Sequence, residues 1–138
     1  MKNMKNILTT FAVAAIITVC ISAKASAATT YTFSNPFTGA VTITVGGRFT
    51  TSDKKAFIIR YEGIPQEACI DLAVQDWGAT SGSGLIAMGV NKAVTGKTNG
   101  CTDKTGGYIC GGMGPMPVSE AANACAEGTG NYIEWKFY

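Results

Sequence analysis

Residues Ile64–Trp77, IPQEACIDLAVQDW, have the pattern of an amphipathic helix around which we expect the rest of the chain to pack. Pro65 suits the first turn of a helix, and Gln66 and Glu67 place polar and negative groups near its N-terminus. Apolar side chains then recur at helical spacing on one face: Cys69, Leu72, Ala73 and Trp77. A helix with one buried face is therefore predicted here.

A second cysteine-bearing stretch, Pro117–Cys125, PVSEAANAC, repeats this arrangement near the C-terminus. It predicts a short helix over Val118–Ala126, and four residues share its apolar face: Val118, Ala121, Ala122 and Cys125. Each predicted helix thus carries a cysteine among its apolar residues. A bridge between Cys69 and Cys125 would join the two helices over one core.

The beginning of the chain has the pattern of a Sec signal peptide. Lys2 and Lys5 form a basic region, Ile7–Ile21 is an apolar run, and Ala25-Ser26-Ala27 supplies the small residues of a cleavage site. The apolar run is shorter than the ~20 residues that a membrane span needs, although an uncleaved anchor is the alternative. We expect a signal peptide over residues 1–27, one exported domain over residues 28–138, and no membrane anchor after cleavage.

The charge of the predicted mature domain is close to zero. The full chain has eleven basic and nine acidic residues, and three of the basic residues, Lys2, Lys5 and Lys24, lie in the predicted signal peptide. The remaining eight basic and nine acidic residues give a net charge of −1. A domain without a basic excess gives no reason to expect nucleic acid or an anionic membrane as its partner.

The predicted mature domain keeps four cysteines: Cys69, Cys101, Cys110 and Cys125. An even number in a small exported domain indicates two disulfides, with three possible connectivities. A zinc site is the competing interpretation, but the chain has no C-x-x-C pair and no histidine. We therefore expect disulfides, and neither a metal nor another cofactor.

The remaining pattern predicts a sheet. Ala28–Gly46 has two short strand patterns around a turn at Asn35-Pro36, Ala56–Glu62 is rich in strand-forming residues, and Leu85–Val90 is apolar throughout. In Asn131–Tyr138, Ile133, Trp135 and Phe137 alternate with polar positions, as in a strand. Asn91–Pro117 is glycine-rich without apolar periodicity, which indicates a loop. The order of elements predicts an α+β domain with an antiparallel sheet and helices on one face.

Catalytic patterns are weak. Without histidine the chain lacks the commonest general base, and Ser83 lies outside a nucleophile-elbow motif. Glu67, Asp71 and Asp76 have the spacing of a solvated helix face, and Gly111–Gly114 lacks the lysine of a phosphate loop. We expect a protein that is not an enzyme.

Three segments together resemble a known family: NPFTGAVTITVGG from Asn35, FIIRYEGIPQEACIDLAVQDWG from Phe57, and PVSEAANAC from Pro117. They are similar to the globular domain of type IVb pilins, above all the thin-pilus pilins of conjugative plasmids and enterobacterial virulence systems. The similarity covers nearly all of Tyr31–Tyr138. It implies a pilin-like αβ-roll, with an antiparallel sheet, short helices and a disulfide-bounded, loop-rich region.

The resemblance also implies the disulfide pairing and a surface. Cys69 would pair with Cys125, and Cys101 with Cys110 as a local clamp inside the segment that pilins expose as their variable surface. The glycine-rich segment Asn91–Pro117 then becomes the candidate recognition surface. Its candidate binding residues are Lys97, Asn99, Asp103, Lys104, Tyr108 and Met113.

The N-terminus departs from the pilin pattern. Pilins carry a long hydrophobic N-terminal helix with a glutamate near its start, whereas Ile7–Ile21 contains no acidic residue and its predicted cleavage would remove it. A sheet face that this helix covers in pilins is then left uncovered, and an exposed apolar face commonly marks a partner surface.

Two functions are compatible with this sequence. The first is a secreted, periplasmic or pilus-associated component of a type IVb pilus, with a structural, adhesive or accessory role. Its partners would be pilin subunits, other pilus components or a second copy of itself. The alternative is a secreted binding module or effector that uses the pilin head fold to recognise a host or cell-surface ligand.

Overall fold

The structure, a computed structural model, describes residues 28–46, 56–78, 82–98, 100–104 and 106–138. The predicted signal peptide lies outside these residues. The elements follow in chain order: β1 (Thr29–Ser34), β2 (Ala40–Val45), β3 (Phe57–Ile64), α1 (Gln66–Ala73), β4 (Leu85–Val90), β5 (Tyr108–Cys110), α2 (Val118–Ala124) and β6 (Asn131–Phe137).

The described strands form one six-stranded sheet in the order β1-β2-β3-β6-β4-β5, and every neighbouring pair is antiparallel. The C-terminal strand β6 therefore lies at the centre, between β3 and β4. Together with the two helices, this sheet confirms the predicted α+β class with its antiparallel sheet. The outer strands are unequal, since β1 has six residues and β5 has three.

The turn between β1 and β2 is fixed by the side chain of Asn35. Its Oδ1 accepts hydrogen bonds from the backbone N–H groups of Phe37 (2.9 Å) and Gly39 (3.0 Å), and its Nδ2 donates to the Glu62 carbonyl (2.7 Å). Gly39 is required at this contact, because a Cβ there would lie 1.8 Å from the Glu62 oxygen. Gly63, at φ +67°, is the extra residue of a β-bulge opposite β6. The turn is thus docked onto the bulge in β3.

Helix α1 is shorter than the pattern predicted. It ends at Ala73, so the prediction that Trp77 lies on its face is wrong. Trp77 nevertheless reaches the same side of the sheet, because its Nε1 donates to the Leu72 carbonyl (2.8 Å) and its ring packs on Trp135 with the centroids 5.0 Å apart. The chain folds back after α1, and an indole hydrogen bond holds it there.

Helix α2 buries less than expected. Ala121 and Cys125 are buried, but Val118 is 65% exposed and Ala122 is also exposed, so the predicted four-residue face is wrong for these two positions. Seven residues make about two turns, and only one short row of such a helix can face the sheet. Disulfides join Cys69 to Cys125 and Cys101 to Cys110. These are the two pairings that the resemblance implies.

The sheet has a core on each side. On the helix side, residues of β3, β4 and β6 pack with α1, α2 and the Cys69–Cys125 bridge. On the other side, a smaller core forms around Ile58, Ile86 and Val94. Val94 belongs to the residues that follow β4, so part of the glycine-rich segment folds back over the sheet. The same segment contains β5, a strand that the sequence pattern did not predict.

Candidate binding surfaces

The segment of residues 91–98 and 100–104, called here the clasped loop, is held on the sheet by two charged side chains of β6. The Glu134 carboxylate accepts a hydrogen bond from the Val94 backbone N–H (2.8 Å). The Lys136 ammonium donates to the carbonyls of Thr95 (3.0 Å) and Lys97 (2.6 Å), and Lys136 is 0% exposed. A buried ammonium needs such oxygen acceptors, so the loop and Lys136 stabilise each other.

An ion-pair network adjoins this attachment. The Arg60 guanidinium donates to Glu134 (2.8 Å) and to Glu62 (2.5 Å), and it lies 3.8 Å from the centre of the Tyr132 ring. Partial burial alone would lower the pKa of Arg60, but the hydrogen bonds to Glu134 and Glu62 outweigh it and raise that pKa. Arg60 therefore carries a fixed positive charge that orients the Glu134 carboxylate toward the loop.

Three of the predicted binding residues lie together on the clasped loop and β5. The Lys97 ammonium pairs with the Asp103 carboxylate and lies 4.0 Å from the centre of the Tyr108 ring. Lys92, which was not predicted, also approaches this ring at 5.3 Å. The cluster presents an aromatic ring, cations and a carboxylate on one surface.

The other predicted binding residues are separate from that cluster. The Lys104 ammonium donates a hydrogen bond to the Met113 backbone carbonyl (3.2 Å), so Lys104 contacts the main chain of Met113. Asn99 lies outside the described residues. The residues that the structure describes thus form two neighbouring patches around the Cys101–Cys110 bridge.

A cleft of about 430 Å³, lined by both polar and apolar groups, lies between the end of β4 and α2. Asn91, Lys92, Glu120 and Asn123 contribute its polar groups. Glu120 accepts a hydrogen bond from the Gly107 backbone N–H (3.2 Å), while the Asn91 amide is committed to Ala124, Asn131 and Tyr132. Lys92 and Asn123 are both exposed and remain accessible from solvent.

The helix side of the sheet carries a second, apolar surface. The helices lie over β6 and its neighbours toward β5. On the same side of the sheet, β1 is open among the described residues, and Ile59 and Tyr61 of β3 are only partly buried against the core. This area, called here the uncovered face, consists of the exposed Tyr31 and Phe33 and the partly buried Ile43, Ile59 and Tyr61, which the strand register places on one side. Val41 lies between Phe33 and Tyr61 on the same side and is buried. Tyr31 and Phe33 are 53% and 57% exposed.

An apolar groove of about 240 Å³ borders the uncovered face. It is lined by Ile59, Tyr61, Leu72, Trp77, Trp135 and Phe137. The groove forms where the helix layer stops, with the Trp77 and Trp135 rings as one wall. The buried Nε1 of Trp135 has no hydrogen-bond partner among the described residues. The uncovered face and the groove share Ile59 and Tyr61, so together they form one continuous apolar area.

The resemblance led to an uncovered sheet face, but not to the residues that form it. One signal was available, since Tyr31 and Phe33 alternate with threonine and serine in β1. The groove had no such signal, because it combines the two strands β3 and β6 with Leu72 of α1 and Trp77 beyond it. Among the described residues, no group of three or more potential metal ligands is found, and no helix has the length and hydropathy to cross a membrane.

Comparisons with known proteins agree with this fold. The sequence profile of the Bundlin family matches residues 6–137, a range that includes most of the predicted signal peptide. The chain is also similar to a type IVb pilin from Salmonella typhi in its crystal structure. The TM-score is 0.50 at 15% identity, over 86% of this chain and 74% of that one. No curated protein sequence matches. Because the profile covers nearly the whole chain, this protein belongs to the Bundlin family of type IVb pilins.

Proposed function

We propose that this pilin-family protein is an exported component of a type IVb pilus that docks an apolar helix of a pilin subunit on its uncovered face. The observation that carries the proposal is the uncovered face itself, where Tyr31 and Phe33 are more than half exposed next to an apolar groove. Apolar areas of this kind, bordered by polar residues, are typical of protein interfaces.

The dimensions of this surface suit a helix. Three adjacent strands span about 10 Å, which is close to the diameter of an α-helix with its side chains. A helix lying along β2 would cover Ile43 in the middle and contact β1 and β3 on either side. Its larger side chains would enter the groove beside Trp77. Each large apolar side chain that becomes buried contributes about 1.5–3 kcal/mol.

The two sides of the sheet then have different roles. The helix side would contact the pilus. Lys97 and Asp103 of the clasped loop, together with Tyr108 of β5, lie on the opposite side and remain available for recognition. The disulfide between Cys101 and Cys110 ties the clasped loop to β5. A structural or adhesive role in the pilus follows from this division.

Capture by the cognate pilin tests the docking. Immobilised full-length pilin should retain the wild-type chain, and Ile43→Gln should reduce retention at least tenfold, because it places an amide in the centre of the uncovered face. Val118→Gln is the matched control, since Val118 is an exposed apolar residue on α2, away from that face. A wild-type chain that is not retained, or equal retention of Ile43→Gln, would contradict the proposal.

The second candidate function, a binding module for a cell-surface ligand, is favoured by the cleft between β4 and α2. Its accessible groups, the Lys92 ammonium and the Asn123 amide, suit a hydroxyl-rich or acidic ligand. An array of such ligands distinguishes the two functions. Binding that Asn123→Ala abolishes, combined with no pilin capture, would favour the module over the pilus component.

A further inference from the structure

We propose that two copies of this chain associate through the outer edge of β1, which joins their two sheets into one. β1 is the last strand of the sheet, and none of the described residues pairs with its outer edge. All six of its residues are exposed. The proposal concerns this edge rather than the uncovered face, so it does not rest on the proposed function.

The edge lacks the features that usually prevent such pairing. Sheet edges are commonly protected by short strands, charged side chains, proline or bulges. β1, with the sequence TTYTFS, has no charge and no proline, and its pairing with β2 runs without a register shift from Thr29 to Ser34. The opposite edge is different, since β5 has only three residues and Cys110 ties it to the clasped loop.

The side-chain pattern of β1 matches a second copy of itself. A two-fold axis perpendicular to the sheet at Thr32 makes the two β1 strands antiparallel and keeps each residue on its own side of the sheet. Tyr31 then lies opposite Phe33 of the partner subunit, and Thr32 lies opposite Thr32 of the partner subunit. Aromatic residues meet aromatic residues on one side, and hydroxyl groups meet hydroxyl groups on the other.

The same kinds of pair already occur inside the sheet. Phe57 and Phe137 lie opposite each other and stack with their centroids 5.5 Å apart. Thr30 and Thr44 are opposite each other with their hydroxyl oxygens 3.4 Å apart. Aromatic cross-strand pairs of this type are favourable, and no like charges oppose the association. An unrelated extended peptide would not carry this alternation, so the second copy is the occupant that we propose.

The association is expected to be weak. A single pair of short strands buries less than the roughly 1,200 Å² that stable complexes bury at the least. The dimer should therefore form at high protein concentration and dissociate on dilution.

Cysteine cross-linking of the full chain tests both the contact and its register, in a Cys20→Ser background. Directly opposite Cα atoms in an antiparallel pair lie about 4.5–5.5 Å apart, which is within the range of a disulfide. Thr32→Cys should therefore give a covalent dimer on mild oxidation. Thr44→Cys, on the same side of the sheet but in β2, is the control and should remain monomeric. Equal dimer yield from the two variants would overturn the proposal.

The register of the β1–β1 pairing can be tested separately. Differently tagged Tyr31→Cys and Phe33→Cys chains should cross-link to each other more readily than either does to itself. Without cysteines, the average mass from light scattering should rise with concentration, and Thr32→Lys should abolish that rise by placing two lysines opposite each other. A wild-type chain that stays monomeric, or a dimer that Thr32→Lys leaves intact, would contradict the pairing.

Discussion

Asn131 illustrates how one buried side chain organises several parts of this fold. It is 1% exposed, and its Oδ1 accepts hydrogen bonds from the Asn91 amide (2.8 Å) and the Ala126 backbone N–H (2.7 Å). Its Nδ2 donates to the carbonyls of Ala126 (2.8 Å) and Ile64 (3.2 Å). The side chain thereby connects the end of β3, the segment after α2 and the residue that follows β4.

Replacing this amide with a carboxylate should be costly. Asn131→Asp removes the donor and places a negative charge against carbonyl oxygens, so we expect a loss of about 3 kcal/mol or more in the free energy of unfolding. Urea unfolding measures this loss of stability. The control is Asn123→Asp, an exposed position in the last turn of α2, which should change stability by less than about 1 kcal/mol. Equal effects at both positions would contradict the role of Asn131.

At the scale of elements, the clasped loop is held on the sheet by Glu134 and Lys136 of β6. Lys136 is fully buried in β6 and supplies hydrogen bonds to two loop carbonyls. Replacing Lys136 with an apolar side chain leaves the Thr95 and Lys97 carbonyls without this donor, at a cost of about 1–3 kcal/mol. Because both acceptors lie in the loop, we expect this cost to appear mainly as local opening of the loop.

Lys136→Met tests this expectation. We expect faster hydrogen exchange at the backbone amides of Val94 and Lys97, because the loop loses one of its two attachments to β6, and unchanged exchange in the centre of β6. Lys92→Met is the control, since Lys92 is an exposed lysine of the same loop. If Lys136→Met leaves the exchange of both loop amides unchanged, then the loop is held by other contacts.

The two disulfides should contribute unequally to stability. Cys69 and Cys125 are 56 positions apart, whereas Cys101 and Cys110 are 9 apart. Loop-closure entropy gives about 4 kcal/mol for the longer bridge and about 3 kcal/mol for the shorter one. Paired alanine substitutions, compared by urea unfolding, should therefore destabilise the chain more at Cys69 and Cys125. The opposite order would show that strain or residual structure dominates.

The strands with strong patterns were predictable from sequence, and the elements that depend on distant contacts were not. β4 and β6 have continuous or alternating apolar residues, and both lie where the sequence placed them. β5 is three residues between glycines, and it becomes a strand only because β4 lies beside it. Lys136 looks like a solvent-facing position in an alternating strand, yet the clasped loop buries it. Nothing in the sequence around Lys136 indicates that a loop covers this position.

For the whole molecule, the two sides of the sheet decide what it can contact. One side is polar toward β1 and β2 and carries the clasped loop toward β5. The other is mostly apolar, and α1 and α2 cover only part of it. The family membership confirms that the chain is pilin-like, and the uncovered face is where we propose that it meets the apolar helix of a pilin subunit.

Site-specific photocross-linking measures that contact most directly. A photoreactive phenylalanine analogue at Ile43 lies in the middle of the uncovered face, and the same analogue at Val118 lies on the exposed side of α2. With the cognate pilin present, the probe at Ile43 should cross-link to an apolar helical peptide of the pilin, and the probe at Val118 should give little product. Cross-linking to pilin from Val118 but not from Ile43 would contradict docking on the uncovered face.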